Sequence, residues 1–321
     1  MTHYVLIDGN NVAFQSQLAA MDKNNRAKRL YAGEQETTAI NGAMQAAREL
    51  QLRYPDARLL TLWDTGKAWR YGIYPEYKGN RKTNPMLVEA KDAIKPQRPY
   101  IEVMCDQMGI PQVTAENYEA DDIAALMADL FADKGHTVTL VTRDQDWLQM
   151  VRPNVKWYDR FADKVVTHVS FEADTGFASP AEFSEAKVVR GDAGDNVTGI
   201  PGVGEVTAEH LISQFGTADN FLASWEEFVA DGGIVKGHPL SRAQKKLSLF
   251  CSDPDAARQL LDRNRKLMDL RIMFKNKDLL AAIRKTPGRV DPEPLKQNLM
   301  RLAFLNIMGK FDSWIAPFQR A

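Results

Sequence analysis

Carboxylates supply most of the chemistry available to this sequence, and they fall in a definite order. Asp8 follows the apolar run Tyr4-Val5-Leu6-Ile7, Asp64 follows Arg58–Trp63, and Asp144 and Asp146 follow Thr137–Thr142. Each run reads as a buried strand, so each acid stands just past a strand's carboxyl end. In open parallel sheets the loops at that edge converge on a crevice where ligands bind. Glu119-Ala120-Asp121-Asp122 opens a helical pattern, and Gly191-Asp192-Ala193-Gly194-Asp195-Asn196 adds a further acidic pair. Any one of these acids could serve a turn or a helix cap. Three within four residues exceed what a helix start needs. Crowded together they would stay partly protonated unless cations neutralised them. Such oxygen-rich sites suit Mg²⁺ or Mn²⁺. Two such ions about 4 Å apart activate water and stabilise both attacking and leaving oxygens at phosphorus.

The elements that must position these acids alternate. The three apolar runs are separated by helical stretches at Thr37–Tyr54, at Asn84–Met108 in pieces broken around Pro96 and Pro99, and at Asp121–Ala132. Strands alternating with helices predict an α/β unit with a mostly parallel central sheet flanked by helices. After about Ser179 the pattern turns helical. Pro180–Arg190 and Glu205–Phe215 read as helices joined through a stretch with five glycines and a proline. A boundary near 175–180 is expected, and no repeat or low-complexity tract is present.

The chain has 321 residues, 44% hydrophobic and 26% charged, which excludes disordered and fibrous classes. No apolar run approaches the ~18 residues of a membrane span, and no secretion signal is evident. Two distant cysteines, Cys105 and Cys251, and five scattered histidines offer neither a disulfide framework nor a zinc cluster. A reducing, cytoplasmic setting is expected. The net charge of −1 hides strong segregation. Thr65–Arg98 carries eight Lys/Arg against three acids, and Pro111–Trp147 eight acids against two basic residues. Ile234–Lys285 is basic again, with thirteen Lys/Arg against five acids. Solvated helix faces would account for any one segment. Together they describe polyanion-binding surfaces around a cation-binding centre.

Six segments carry a family resemblance by their order: Asp8-Gly9-Asn10-Asn11, Tyr77-Lys78-Gly79-Asn80-Arg81, Glu119–Asp122, Thr142–Asp146, Gly191–Asn196 and Gly199-Ile200-Pro201-Gly202-Val203-Gly204. From about residue 4 to 216 the chain resembles the 5′-nuclease (flap endonuclease) family, both its stand-alone bacteriophage 5′-exonucleases and the nuclease domain of bacterial DNA polymerase I. The resemblance implies a PIN-like 5′-nuclease fold: a metal-dependent nuclease domain at 1–178 with a helical arch at about 82–109, then a helical duplex-DNA-binding region at 179–321. Within that region a helix-turn-helix clamp would span about 180–216, the remainder being unassigned.

The same resemblance implies metal ligation, direct or through water, by Asp8, Asp64, Glu119, Asp121, Asp122, Asp144, Asp146, Asp192 and Asp195. It casts Lys78 as the lysine at the scissile phosphate, with Arg81 beside it, and groups both with Asp144 as catalytic. DNA contacts would come from Tyr77, Lys78, Arg81, Lys91, Lys95, Gly202 and Gly204. Arg70 is a further phosphate-contact candidate without a family match. The clamp's backbone carbonyls at Val197, Ile200 and Val203 would hold a K⁺ ion. A glycine-rich turn and a helix N-terminus suit a phosphate on their own physics.

The expected reaction is hydrolysis of a phosphodiester near the 5′ end of branched or nicked DNA, with two Mg²⁺ (or Mn²⁺) and a role in replication or repair. A DNA/RNA hybrid is a further possible substrate. A monomer is expected, in a bacterial cell or phage-infected host, with any polymerase acting in trans. Two rivals stand beside this. One is an RNA-directed enzyme of the same architecture, a primer-removing RNase H or PIN-type ribonuclease. The other is a non-catalytic branched-DNA-binding protein, for which concentrated negative charge facing phosphate would bring no gain.

Overall fold

Alternate residues of the first strand serve opposite faces of the sheet, and both faces are covered. In β1 (His3–Asp8) Leu6 packs into one apolar cluster, and Val5 and Ile7 into another. This double burial is why the run shows no polar alternation. The computed structural model describes residues 1–22, 28–66, 68–80 and 84–320. Its main sheet adds β2 (Ala57–Leu62), β3 (Gln112–Ala115), β4 (Thr137–Val141), β5 (Val155–Asp159), β6 (Lys164–Val166) and β7 (Ile283–Thr286). The spatial order is β7-β3-β2-β1-β4-β5-β6. Pairings β1–β2, β1–β4, β2–β3 and β4–β5 are parallel, and only the edge strands β6 and β7 run antiparallel.

Chain order reverses at β1, with β2 and β3 on one side and β4 and β5 on the other. The carboxyl ends of β1 and β4 thus flank a topological switch point, where loops diverge and leave a crevice. Asp8 ends β1, and Asp144 lies three residues past β4. Helix Ala120–Asp133 covers one face of the sheet, with Ile123, Ala124 and Leu126 fully buried. Helices Gly9–Met21, Thr38–Arg53 and Arg98–Gln107 contribute to the cluster on the other face.

The arch region forms two helices, Pro85–Ile94 and Arg98–Gln107, with its first residues, 82 and 83, outside the described residues. The break comes at residues 95–97. Pro99 does not interrupt the second helix; it sits in its first turn, where a missing N–H is harmless. Pro180–Arg190 and Glu205–Phe215 are helices, followed by Ala218–Ala230, Gln244–Cys251 and Pro254–Met268.

The expectation of one helical unit from 179 to 321 is corrected at its end. β7 pairs with β3, Ile283 opposite Ala115, and the chain then runs back beneath the nuclease core. Leu295, Leu299, Phe311, Trp314 and Phe318 join Val5, Ile7, Ile40 and Ile101 in one cluster. Helix Pro292–Arg301 packs on Arg98–Gln107, and the Arg48 guanidinium donates to the Trp314 carbonyl at 3.1 Å. The cause is apolar spacing. Leu295, Leu299 and Leu302 form a helical stripe that needs burial, and the first half of the chain offers the matching face.

Candidate active site

Four successive carboxyl ends supply the first group of acids. Asp8 caps helix Gly9–Met21, accepting the Asn11 N–H at 2.9 Å and the Thr142 hydroxyl at 3.0 Å. Asp64, two residues past β2, accepts the Ala120 N–H at 2.7 Å. Asp121, in the first turn of the helix after β3, accepts the Trp147 indole N–H at 2.7 Å. Asp144 accepts the Asp146 N–H at 2.9 Å and so caps the short 3₁₀ helix Gln145–Met150.

These four acids line one opening of about 640 Å³. Asn10, Phe14, Lys78, Leu87, Lys91, Lys95 and Arg98 share its walls. The arch helices therefore bring basic and apolar side chains to the same opening as the carboxylates. The Asn10 amide nitrogen is buried there with no hydrogen-bond partner among the described residues.

Repulsion among the acids is visible in their protonation. Burial pushes the Asp8 carboxyl up to about 7, and Asp64 and Asp144 add to this. Burial and then Asp146 raise Asp144 to about 6. Asp121 is held well above the ordinary range by burial, Asp144 and Asp8. Carboxylates this strained fit a bound cation, since positive charge would return each to its ionised form. Among the described residues no three acids converge as a ready-made cage. Mg²⁺ does not require one, because it keeps several waters and uses few direct carboxylates.

The remaining acids are already engaged by protein cations. The Lys78 ammonium donates to Glu119 and lies 3.8 Å from Asp195. Lys78 has a left-handed backbone, φ 58°, and its N–H donates to the Asp195 carbonyl at 2.8 Å. Strained backbone of this kind is found where a side chain must be aimed. Lys187 donates to Asp146 and to Asp192, the latter at 3.1 Å. Asp192 also accepts the Asp195 N–H at 3.1 Å, closing the acidic loop on itself.

Three sequence expectations are corrected by burial. Arg70 cannot meet a phosphate as the chain stands: its side chain is 2% exposed, and Nη1 and Nη2 donate to Asp122 at 2.8 and 2.7 Å. Nη1 also donates to Glu119 at 2.9 Å, and Nε to the Leu267 carbonyl at 2.8 Å. Asp122, with no exposure, is spent on Arg70 and on capping the Glu119 N–H at 3.0 Å, which turns it away from the opening. Tyr77 is 3% exposed, so its ring is not open to contact DNA as expected. Its hydroxyl lies 3.0 Å from Glu119 and 2.9 Å from Asp195, and burial with those carboxylates drives its ionisation far upward.

Of the other candidates, Lys91 and Lys95 line the opening, with Lys95 paired to Asp92 at 2.7 Å. Arg81 lies outside the described residues. Gly204 is the N-cap of helix Glu205–Phe215, and Gly202 has φ +81° with the Lys246 stem packed where a side chain would begin. Val197, Ile200 and Val203 are buried, and Val197 pairs with Asp192 in a short hairpin. That hairpin ties the clamp turn to the acidic loop. Lys187 and Trp147 were not anticipated from sequence. The signal for Lys187 was its place in the last turn of a helix, five residues before Asp192. Arg98 donates to the Asp64 carbonyl at 3.0 Å and stacks over Trp63 at 4.8 Å, holding the arch base to this acid's loop.

A parallel sheet with acids at its switch point, a two-helix arch above them and a glycine-turn helix pair beside them define a class of nuclease architecture, and comparison agrees. The family model of the 5′-3′ exonuclease N-terminal, resolvase-like domain matches residues 3–177, and that of the 5′-3′ exonuclease C-terminal SAM fold matches 178–282. The chain belongs to the 5′-3′ exonuclease family. It is 29% identical over 277 residues to a 5′-3′ exonuclease of Aquifex aeolicus (strain VF5), covering 86% of each chain. It is 28% identical over 293 residues to DNA polymerase I of Bacillus caldotenax, spanning 88% of this chain and 31% of that polymerase. Its fold is that of the bacteriophage T5 flap endonuclease solved with DNA and metal ions, at TM-score 0.64 and 20% identity, covering 94% of this chain and 99% of that one. Among the described residues no helix is long and apolar enough to cross a membrane.

Proposed function

We propose that the protein is a structure-specific 5′ nuclease that cuts DNA near the junction of duplex and 5′ single strand. The observation that carries this reading is the opening itself, lined both by strained carboxylates and by Lys78, Lys91, Lys95 and Arg98. Such an opening attracts a phosphodiester and disfavours any ligand lacking both a phosphate and a divalent partner.

In this reading Asp8, Asp64, Asp121 and Asp144 hold the first ion directly or through water, and Asp146, Asp192 and Asp195 belong to the second. Two Mg²⁺ or Mn²⁺ ions would supply an activated water and charge neutralisation at the scissile phosphate. Lys78 presents its ammonium to the developing negative charge at phosphorus. Lys91, Lys95 and Arg98 guide the single strand under the arch by unspecific phosphate attraction. The Gly199–Gly204 turn and the N-terminus of helix Glu205–Phe215 hold the duplex, with K⁺ on the carbonyls of Val197, Ile200 and Val203. Hydrolysis leaves a 5′-phosphate and a 3′-hydroxyl. Replication or repair is the role we infer. The buried free thiols of Cys105 and Cys251 agree with a reducing bacterial cytoplasm.

Cleavage of a 5′-labelled flap duplex in Mg²⁺, beside EDTA and a blunt duplex, tests this. Metal-dependent cutting at the junction, weaker on the blunt form, is expected. Tight flap binding without cleavage in Mg²⁺ or Mn²⁺ would overturn it. A flap of equal sequence in RNA separates the DNA enzyme from its RNA-directed rival.

A further inference from the structure

Helix Pro180–Arg190 carries a lysine whose position the reaction above does not use. The Lys187 side chain is 3% exposed, and its ammonium donates to both Asp146 and Asp192. The two acids come from separate parts of the chain. Asp146 stands in the short 3₁₀ helix Gln145–Met150, and Asp192 in the hairpin beside the clamp. Gln149 locks this short helix to its surroundings, accepting from the Ser184 hydroxyl and the Leu270 N–H at 3.0 Å each and donating to the Met268 carbonyl at 3.0 Å. Ser184 and Lys187 share one helix, so the ammonium is held in a fixed place between the acids. A buried ammonium persists only when paired and hydrogen-bonded in this way.

The two carboxylate groups therefore differ in a basic respect. Among the described residues Asp8, Asp121 and Asp144 accept hydrogen bonds only from neutral donors, Asn11, Thr142, Trp147 and the Asp146 backbone, and the charges of Lys78 and Lys187 act on Asp121 and Asp144 without a direct bond. Asp146 and Asp192 share a fixed positive charge. An ion entering among Asp146, Asp192 and Asp195 would meet that ammonium within a few ångströms, where like charges repel strongly in a water-poor site. An arriving phosphate adds negative charge and reverses the balance.

We propose that Lys187 is a built-in cation of the second carboxylate group, which keeps a second divalent ion weakly bound until a substrate phosphate arrives. This rests on the two-ion reading given above. It adds that the sites fill in order, and that this chain's own lysine sets the order.

Calorimetric titration of the whole protein with Mn²⁺, without DNA, is the test. For the unaltered protein we expect one ion bound tightly and a second at least about tenfold more weakly. In Lys187→Met, which keeps the stem and removes the charge, the second affinity should rise about tenfold or more; Lys187→Arg should resemble the parent. A second affinity unchanged in Lys187→Met overturns the proposal. If Lys187→Met does not fold, side-chain ¹⁵N spectra of the unaltered protein decide, with Lys187→Arg assigning the signal. The Lys187 ammonium resonance should shift at the Mg²⁺ concentration of the second binding step, and a resonance that stays fixed through that step overturns the proposal. If the unaltered protein binds no divalent ion, this inference and the proposed function both fall; if it binds ions and Lys187 has no influence, only this inference does.

Discussion

Arg70 and Asp122 form a two-pronged ion pair with bonds of 2.8 and 2.7 Å, sealed from solvent at the root of the helix that presents Asp121. The pair fixes the helix N-terminus from which Glu119 and Asp121 project, so Arg70 serves the site by positioning it. Removing one partner leaves the other buried and uncompensated. Arg70→Met should cost about 3–5 kcal/mol in thermal or urea unfolding. A phosphate-contacting arginine would behave in the opposite way, with unfolding unchanged and DNA affinity reduced.

Asp144→Asn separates stability from activity. Asp144 is a crowded, buried carboxylate raised to about 6 by burial and by Asp146. Neutralising it relieves repulsion, so the metal-free variant should melt at or above the parent's temperature. Flap cleavage in Mg²⁺ should fall by about 10²–10³-fold, the scale on which charge-stabilising groups act, with DNA binding largely retained. Circular dichroism melts beside single-turnover cleavage check both halves. A variant that unfolds would remove Asp144 from the site.

The raised acids make stability depend on pH and metal together. Asp8 titrates near 7 and Asp144 near 6 in the folded chain, both above the ordinary 3.8. Between those values the folded state holds more protons than the unfolded state, so these groups subtract stability as pH rises from about 4 to 7. A divalent cation removes the penalty by favouring the ionised forms. The rise in melting temperature on adding Mg²⁺ should therefore be small at pH 5 and larger at pH 8. At a hundredfold excess over Kd a single ion adds about 2.7 kcal/mol. A Mg²⁺ effect that is flat across this range would contradict the assignment of these acids as ligands.

The terminal segment carries a prediction of its own. Leu299 is fully buried in the cluster that also holds Ile101 and Met104 of the second arch helix. The Asn298 amide donates to Gln107 at 3.0 Å, at the end of that helix. Leu299→Ala should cost about 2–5 kcal/mol, as for other buried leucines, and chemical denaturation measures it directly. A loss below about 1 kcal/mol would mean that residues 283–320 are a loosely attached tail.

The order of acids past apolar runs was legible because strand burial and loop acidity are local properties. Tyr4–Ile7, Arg58–Trp63 and Thr137–Thr142 each announce a two-sided strand, and three acids past three such strands mark one sheet edge. The later strands were not legible. β3 is four residues long and includes Gln112 and Thr114, and β7 is Ile-Arg-Lys-Thr, which any propensity reads as solvated. β7 tolerates such polarity because it is an edge strand, with one side of its ladder facing outward. β3 lies inside the sheet, and its Gln112 side chain is satisfied there, accepting the Trp63 indole N–H and donating to the Glu102 carbonyl.

Residue types and their spacing were enough to set the fold class, the order of acids along one sheet edge and the glycine-turn helix pair, since these depend on periodicity and on short-range backbone chemistry. Which acids remain available to a cation was decided only in three dimensions. Asp121 and Asp122 are neighbours in the chain, yet one faces the opening and the other is consumed by Arg70, fifty-two residues away. Asp146 meets Lys187 across forty-one residues, and Trp147 meets Asp121 across twenty-six. Charge pairing at such separations is set by where helices pack, and a linear sequence does not display that packing.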